Sequence, residues 1–139
     1  MKEELVAPCG MNCGTCSGYL AFSRGIQKKR GAIGHCTGCR PRQKRCAYLK
    51  GHCEHINSGQ FCYTCERFPC ARLRHIDQRY RDNYRVSLID NLRQISGKGI
   101  IAFLEDQRER YRCRNCEGTV CIHNGKCYDC EIVEHWRKG

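Results

Sequence analysis

Five C-x-x-C pairs constrain this 139-residue chain more than any other feature: Cys13/Cys16, Cys36/Cys39, Cys62/Cys65, Cys113/Cys116 and Cys127/Cys130. They hold ten of its fifteen cysteines. A disulfide inside C-x-x-C closes a loop too short to remove much entropy from the unfolded chain. Two residues between thiolates do let both sulfurs face one ion while turn N–H groups donate to them. The cysteine total is odd, and the opening MKEELVAPCG starts with charges and lacks the apolar run of a secretory leader. Metal-bound thiols in a reducing cytoplasm are therefore predicted, rather than an exported disulfide scaffold.

At this length the chain can form one compact unit or two small modules, and charged residues make up 28% of it. Leu, Ile, Val and Phe are sparse, so the apolar core is expected to be small and supplemented by metal. The formal charge of +11 resembles a nucleic-acid signal at first. Three zinc ions on twelve thiolates would bring it down to about +5, so part of the basic excess offsets thiolate charge.

The cysteines form three groups of five, and the stretch from Ala71 to Arg112 between the second and third has none. Ser87 followed by Asp90 reads as a capping start ahead of Leu88, Ile89, Leu92 and Ile95 at helical spacing. After Gly97 and Gly99 a second helical pattern runs through Ile100, Phe103, Leu104, Gln107 and Tyr111, predicting a helical hairpin over the metal modules. Leu73, Ile76, Tyr80 and Tyr84 predict another helix, starting close to Cys70 and basic on its outer face. Tyr19, Leu20, Phe22 and Ile26 suggest a shorter one that Gly25 weakens. The expected fold is a small α+β metal-stabilised structure with irregular cysteine-rich N-terminal modules (1–70), central α-helices (71–112) and C-terminal zinc-ribbon-like hairpins (113–139), forming one compact unit.

The strongest local signal is CRNCEGTVCIHNGKCYDC, where ten residues separate the knuckle Cys113/Cys116 from Cys127/Cys130. This spacing predicts a closed tetrahedral zinc site, with Asn124-Gly125 supplying a tight turn. Cys121 is expected to be a small buried residue and His123 a surface polar group. In the first group, Cys13, Cys16, Cys36 and Cys39 can close one site, leaving Cys9 over. The C-x3-C-x2-C run of Cys9, Cys13 and Cys16 also admits an iron–sulfur cluster, because spacing alone does not choose the metal. Radical chemistry on that run would need a βα barrel, for which the chain is too short. The second group offers Cys46, Cys53, Cys62 and Cys65 with Cys70 spare. His52 and His55 are possible substitutes there, or simply solvated loop residues.

These motifs together, APCGMNCGTCSGYLA, HCTGCR, RCAYLKG, FCYTCERFPCARL and SLIDNLRQISGKGIIAFLEDQRERYRCRNCEG, resemble the domain of unknown function 3795 family of small cysteine-rich prokaryotic proteins. The resemblance implies a prokaryotic cytoplasmic protein that binds metal, and supports a ligand role for Cys9, Cys13, Cys16, Cys36, Cys39, Cys46, Cys53, Cys62, Cys65 and Cys70. In similar chains the first knuckle of the ribbon is followed by Gly-Gly, where this chain has Glu117-Gly118.

No nucleophile and base pair, phosphate-binding glycine loop or H-E-x-x-H helix stands out. The expected function is that of a non-enzymatic metal-binding interaction module holding two or three zinc ions. Its expected partner is acidic, a protein or nucleic acid, with no membrane involved. The alternatives are an iron–sulfur protein in electron transfer or sensing, and a zinc-ribbon nucleic-acid binder that contacts phosphates through Arg72, Arg74, Arg79, Arg81 and Arg85.

Overall fold

A computed structural model describes residues 1–27, 34–41 and 53–131. Among them five α-helices form: α1 (Ser17–Ser23), α2 (Glu54–Asn57), α3 (Ala71–Tyr84), α4 (Leu88–Lys98) and α5 (Ile100–Arg110). Short 3-10 turns at Glu3–Leu5, Cys13–Thr15 and Cys62–Thr64 accompany them.

The helical hairpin follows its sequence pattern closely. Ser87 caps α4 by accepting from the Asp90 N–H at 3.1 Å, and Leu88, Ile89, Leu92 and Ile95 are buried along one face. Gly99, at φ +88, ends α4 and leads directly into α5, whose Phe103, Leu104 and Gln107 are buried. Leu88, Leu92 and Phe103 are wholly excluded from solvent, and each such side chain contributes about 1.5–3 kcal/mol.

α3 starts at Cys70, as expected, and crosses to α4 through a buried carboxylate. Asp77 accepts from the Ser87 hydroxyl at 2.8 Å and the Ile89 N–H at 3.0 Å, while its other oxygen meets Arg81 at 3.0 Å. The N-terminal segment lies against this hairpin. Leu5, Ala7, Cys9 and Met11 share a core cluster with Leu73, Leu88, Ile89 and Leu92. Asn91 donates to the Gly10 carbonyl at 3.0 Å, and a Cβ at Gly10 would stand 2.6 Å from the Leu88 carbonyl oxygen, so only glycine permits this approach.

α1 is shorter than its apolar pattern. Gly25 at φ +64 ends it, and Ile26 packs from beyond the helix onto the cluster of Leu20, Ala21, Cys121 and Tyr128. That cluster fastens the C-terminal segment to α1.

The fold is mostly helical. β structure among the described residues is confined to isolated antiparallel bridges, Val6 with Asn12, Arg112 with Thr119 and Val120 with Cys127. The C-terminal hairpins expected from the knuckle spacing are thus bridges flanking turns rather than strands. Each bridge is a single residue pair: Cys113 N–H to Gly118 O and Val120 N–H to Tyr111 O (both 2.7 Å) flank Arg112–Thr119, Cys121 N–H to Lys126 O (2.8 Å) flanks Val120–Cys127, and the turns beyond end the pairing. At Asn124-Gly125 only Gly125 takes a positive φ; Asn124 instead accepts from the Lys126 N–H at 3.1 Å.

Candidate metal centres

The C-terminal knuckles converge. The sulfurs of Cys113, Cys116, Cys127 and Cys130 all lie within 4.8 Å of one another, with Cys113–Cys130 at 3.8 Å and Cys116–Cys127 at 3.5 Å. A tetrahedron with metal–sulfur arms of about 2.3 Å has edges of about 3.8 Å, so the four donors fit a single ion. Two of them, Cys113 and Cys127, are buried, and Cys116 and Cys130 are exposed.

Backbone amides favour negative charge on Cys113, and burial opposes it on Cys127. The N–H groups of Cys116 and Asn115 bring the Cys113 thiol down to about 7, while burial pushes Cys127 up to about 12. Gly118 N–H lies 3.4 Å from the Cys116 sulfur, and the Asn115 side-chain amide donates to that of Cys130 at 3.5 Å. Four sulfurs this close repel one another as thiolates, and a cation among them would offset that repulsion.

The positioning of the site depends on one carboxylate. Asp129 accepts from the Thr119 N–H at 3.1 Å and from both sides of the Arg24 guanidinium at 3.0 and 3.2 Å, tying the second knuckle to the first and to the end of α1. A Cβ at Gly118 would collide with that carboxylate. Glu117 beside it takes φ +63, left-handed backbone that costs a residue other than glycine about 1–2 kcal/mol.

Cys13 and Cys16 stand on a 3-10 turn beneath α1. Asn12 caps this turn by accepting from the Gly14 N–H at 3.0 Å. The Cys13 thiol bonds to Cys39 and is pushed well above its ordinary range by that bond and by burial. Cys36 is held nearby through its N–H to the Gly18 carbonyl at 3.0 Å, and its sulfur is 3.4 Å from the Gly38 N–H. Burial raises Cys16, whose charge interactions are with Cys121 and Cys36. The CTGC knuckle therefore approaches the Cys13/Cys16 turn.

The remaining thiols are partitioned differently from their order in sequence. Cys9 shares a core cluster with Cys13 and also lines a cavity of about 40 Å³ with Cys53, Cys62, Cys65 and Cys70. The Cys62 N–H donates to the Pro8 carbonyl at 2.9 Å, which brings the two segments together. Cys70, spare in the linear reading, faces the same space. Cys46 and His52 lie outside the described residues.

Both described histidines that were read as plain polar residues are structural. His55 is half-buried and places Nε2 2.9 Å from the Phe61 carbonyl, so that nitrogen carries the proton. His123 accepts the Ser17 N–H on Nδ1 at 3.2 Å, so its Nε2–H points to the Tyr80 hydroxyl at 3.2 Å. Cys121 is buried at 1% exposure, as expected.

Linear reading also missed a repeat. Cys13-Gly14-Thr15-Cys16 and Cys62-Tyr63-Thr64-Cys65 form the same turn: the last cysteine N–H bonds to the first cysteine carbonyl at 3.0 Å in both. Both threonine hydroxyls donate back three residues at 2.9 Å. The visible signal was C-x-T-C, which occurs in both places.

These features define a small, cysteine-rich, mostly helical protein with a thiolate cluster suited to a metal ion. Residues 5–75 match a family model described as protein of unknown function (DUF3795), just over half the chain, and the protein belongs to that family. The match spans Cys9 to Cys70 and stops before the C-terminal tetrad. No curated protein and no solved structure matches the chain. Among the described residues, no helix is long and apolar enough to cross a membrane.

Proposed function

We propose that this protein is a non-enzymatic interaction module stabilised by metal, with zinc bound by Cys113, Cys116, Cys127 and Cys130. The observation that carries the reading is the pair of sulfur separations, 3.8 and 3.5 Å, which suit a closed four-thiolate ion with no position left for a reacting water. Among the described residues Cys13, Cys16, Cys36 and Cys39 do not converge as the C-terminal four do, and zinc is assigned to the C-terminal tetrad alone. The partner is acidic. Arg72, Arg74 and Arg79 are exposed on α3, whereas Arg81 is engaged by Asp77.

Elemental analysis of the full chain tests the zinc assignment. Wild-type protein retains zinc through gel filtration, and Cys116→Ser loses one equivalent. Equal zinc in both would remove the C-terminal assignment. Replacing Arg72, Arg74 and Arg79 by Glu abolishes capture by an anionic resin at low salt if the α3 face is the docking surface; undiminished capture would dismiss that face.

A further inference from the structure

The cavity beneath α3 has properties that the C-terminal tetrad lacks. Its walls are five cysteines, the apolar side chains of Ile56, Phe68, Leu73 and Ile76, and His55. His55 is already committed through Nε2 to the Phe61 carbonyl and the Thr64 hydroxyl. Its volume of about 40 Å³ would house several waters at about 10–15 Å³ each. A buried water needs two to four polar partners, and sulfur and hydrocarbon are poor ones. A single ion does not suit the space either. Among the described residues only the C-terminal group brings three or more His, Cys, Asp or Glu donor atoms within 4.8 Å of one another, so the cavity thiols stand further apart than a mononuclear site requires.

Thiols on the wall of an apolar void, too widely spaced for one ion, fit an occupant that brings its own bridging atoms. We propose that this cavity holds an iron–sulfur cluster ligated by Cys9, Cys62, Cys65 and Cys70. Bridging sulfides span the gap between the thiolates, and an apolar shell excludes the water that would hydrolyse them. Cys62 and Cys65 come from one knuckle. Cys70 caps α3, where the Leu73 N–H meets its sulfur at 3.5 Å and the helix N-terminus favours thiolate. Cys9 closes the set because it lines the cavity and the Cys62 N–H bond to the Pro8 carbonyl, at 2.9 Å, holds its segment beside the knuckle. Cys53, the N-cap of α2, stands apart in sequence from Cys62, Cys65 and Cys70 and is the fifth thiol of the cavity, a neighbour rather than a ligand.

The proposal is independent of the zinc reading. The test uses full-length protein purified without oxygen, and the same protein reconstituted with ferrous iron and sulfide. We expect bound iron and acid-labile sulfide in equal amounts, and a broad visible absorption. Cys9→Ser and Cys70→Ser lose both, while Cys53→Ser and Cys116→Ser keep both. Zinc content of each variant reports whether the rest of the chain has folded. Cys65→Ser, on a half-buried wall position, serves if Cys9→Ser precipitates. Wild-type protein that takes up no iron or sulfide, or carries zinc in this cavity instead, overturns the proposal. So does iron retained in full by Cys70→Ser and Cys65→Ser. Iron and sulfide present without zinc would remove the C-terminal assignment and leave this one standing.

Discussion

The C-terminal tetrad and the cavity beneath α3 are built from the same C-x-x-C unit and become opposite kinds of site. At the C-terminus two knuckles face each other across turns, the sulfurs meet at 3.5 and 3.8 Å, and two of the four cysteines are exposed. Under α3 one knuckle meets single cysteines from three other segments across a void with apolar walls. The difference lies in what surrounds the knuckle. Turn backbone and the Asp129 carboxylate draw sulfurs together at one end, whereas helix packing fixes their separation at the other. One site thus depends on an ion for its shape, and the other inherits its shape from the core.

Chelation should expose this contrast most strongly. A structural zinc site contributes its binding free energy directly to folding, about 10–16 kcal/mol in small zinc peptides. Removing the ion should therefore cost residues 113–131 their amide protection, while α4 and α5, with Leu88, Leu92, Ile95 and Phe103 buried between them, stay protected. Hydrogen exchange before and after chelation measures this. Loss of both regions together would show that the helices also depend on metal, and the contrast would fail.

Asp77→Ala attacks the other side. The Ser87 hydroxyl and the Ile89 N–H both lose a charged acceptor at a buried position, a loss of about 2–3 kcal/mol. α3 roofs the cavity, so its thiols should become faster to alkylate while zinc at the C-terminus is retained. Equal acceleration at Cys116 would mean that the two sites are not separately supported.

Two adjacent residues of the first C-terminal knuckle should respond with opposite signs. Glu117→Gly relieves left-handed backbone and should raise stability by about 1 kcal/mol. Gly118→Ala drives a methyl group into the Asp129 carboxylate and should cost about 1–3 kcal/mol, along with the Arg24 tie. Thermal melts of both variants with zinc present decide the matter. The same sign for both would mean that turn geometry does not govern this site.

Much of this was legible in the sequence where the physics is local. Helical periodicity and the Ser87 cap located α4, and two knuckles ten residues apart located the tetrad, because each C-x-x-C turn presents its two sulfurs together and the short connection costs little entropy to close. The place of Cys9 on the wall of the α3 cavity was not legible. Its sequence neighbours Cys13 and Cys16 face the CTGC knuckle, and only the packing of the N-terminal segment onto α3 and α4 turns Cys9 toward Cys62. His123 was misjudged for the same reason. Its partners, Ser17 and Tyr80, are 106 and 43 residues away along the chain.

His123 also supplies the smallest effect, at the joint between the two regions. It sits in the C-terminal segment yet packs edge-on against Tyr80 and Tyr84 of α3, with the ring centroids 6.0 and 5.0 Å away. The Ser17 N–H occupies Nδ1, so a second proton there would displace a hydrogen bond, and burial holds the ring below its ordinary pKa of about 6.5. The unfolded chain takes up a proton as the pH falls through about 6.5, and the folded chain does not until lower pH. The contribution of His123 to stability is therefore complete above that value and declines below it, with a slope no steeper than about 1.4 kcal/mol per pH unit. His123→Phe should be less stable than wild type at pH 7.5, and the gap should narrow toward pH 5.5; acid loss of metal, common to both proteins, cancels in the comparison. Denaturant titrations of the two at each pH measure the gap. A constant gap would mean that the ring is protonated alike in the folded and unfolded chains, and the joint between the C-terminal segment and α3 would then rest on packing alone.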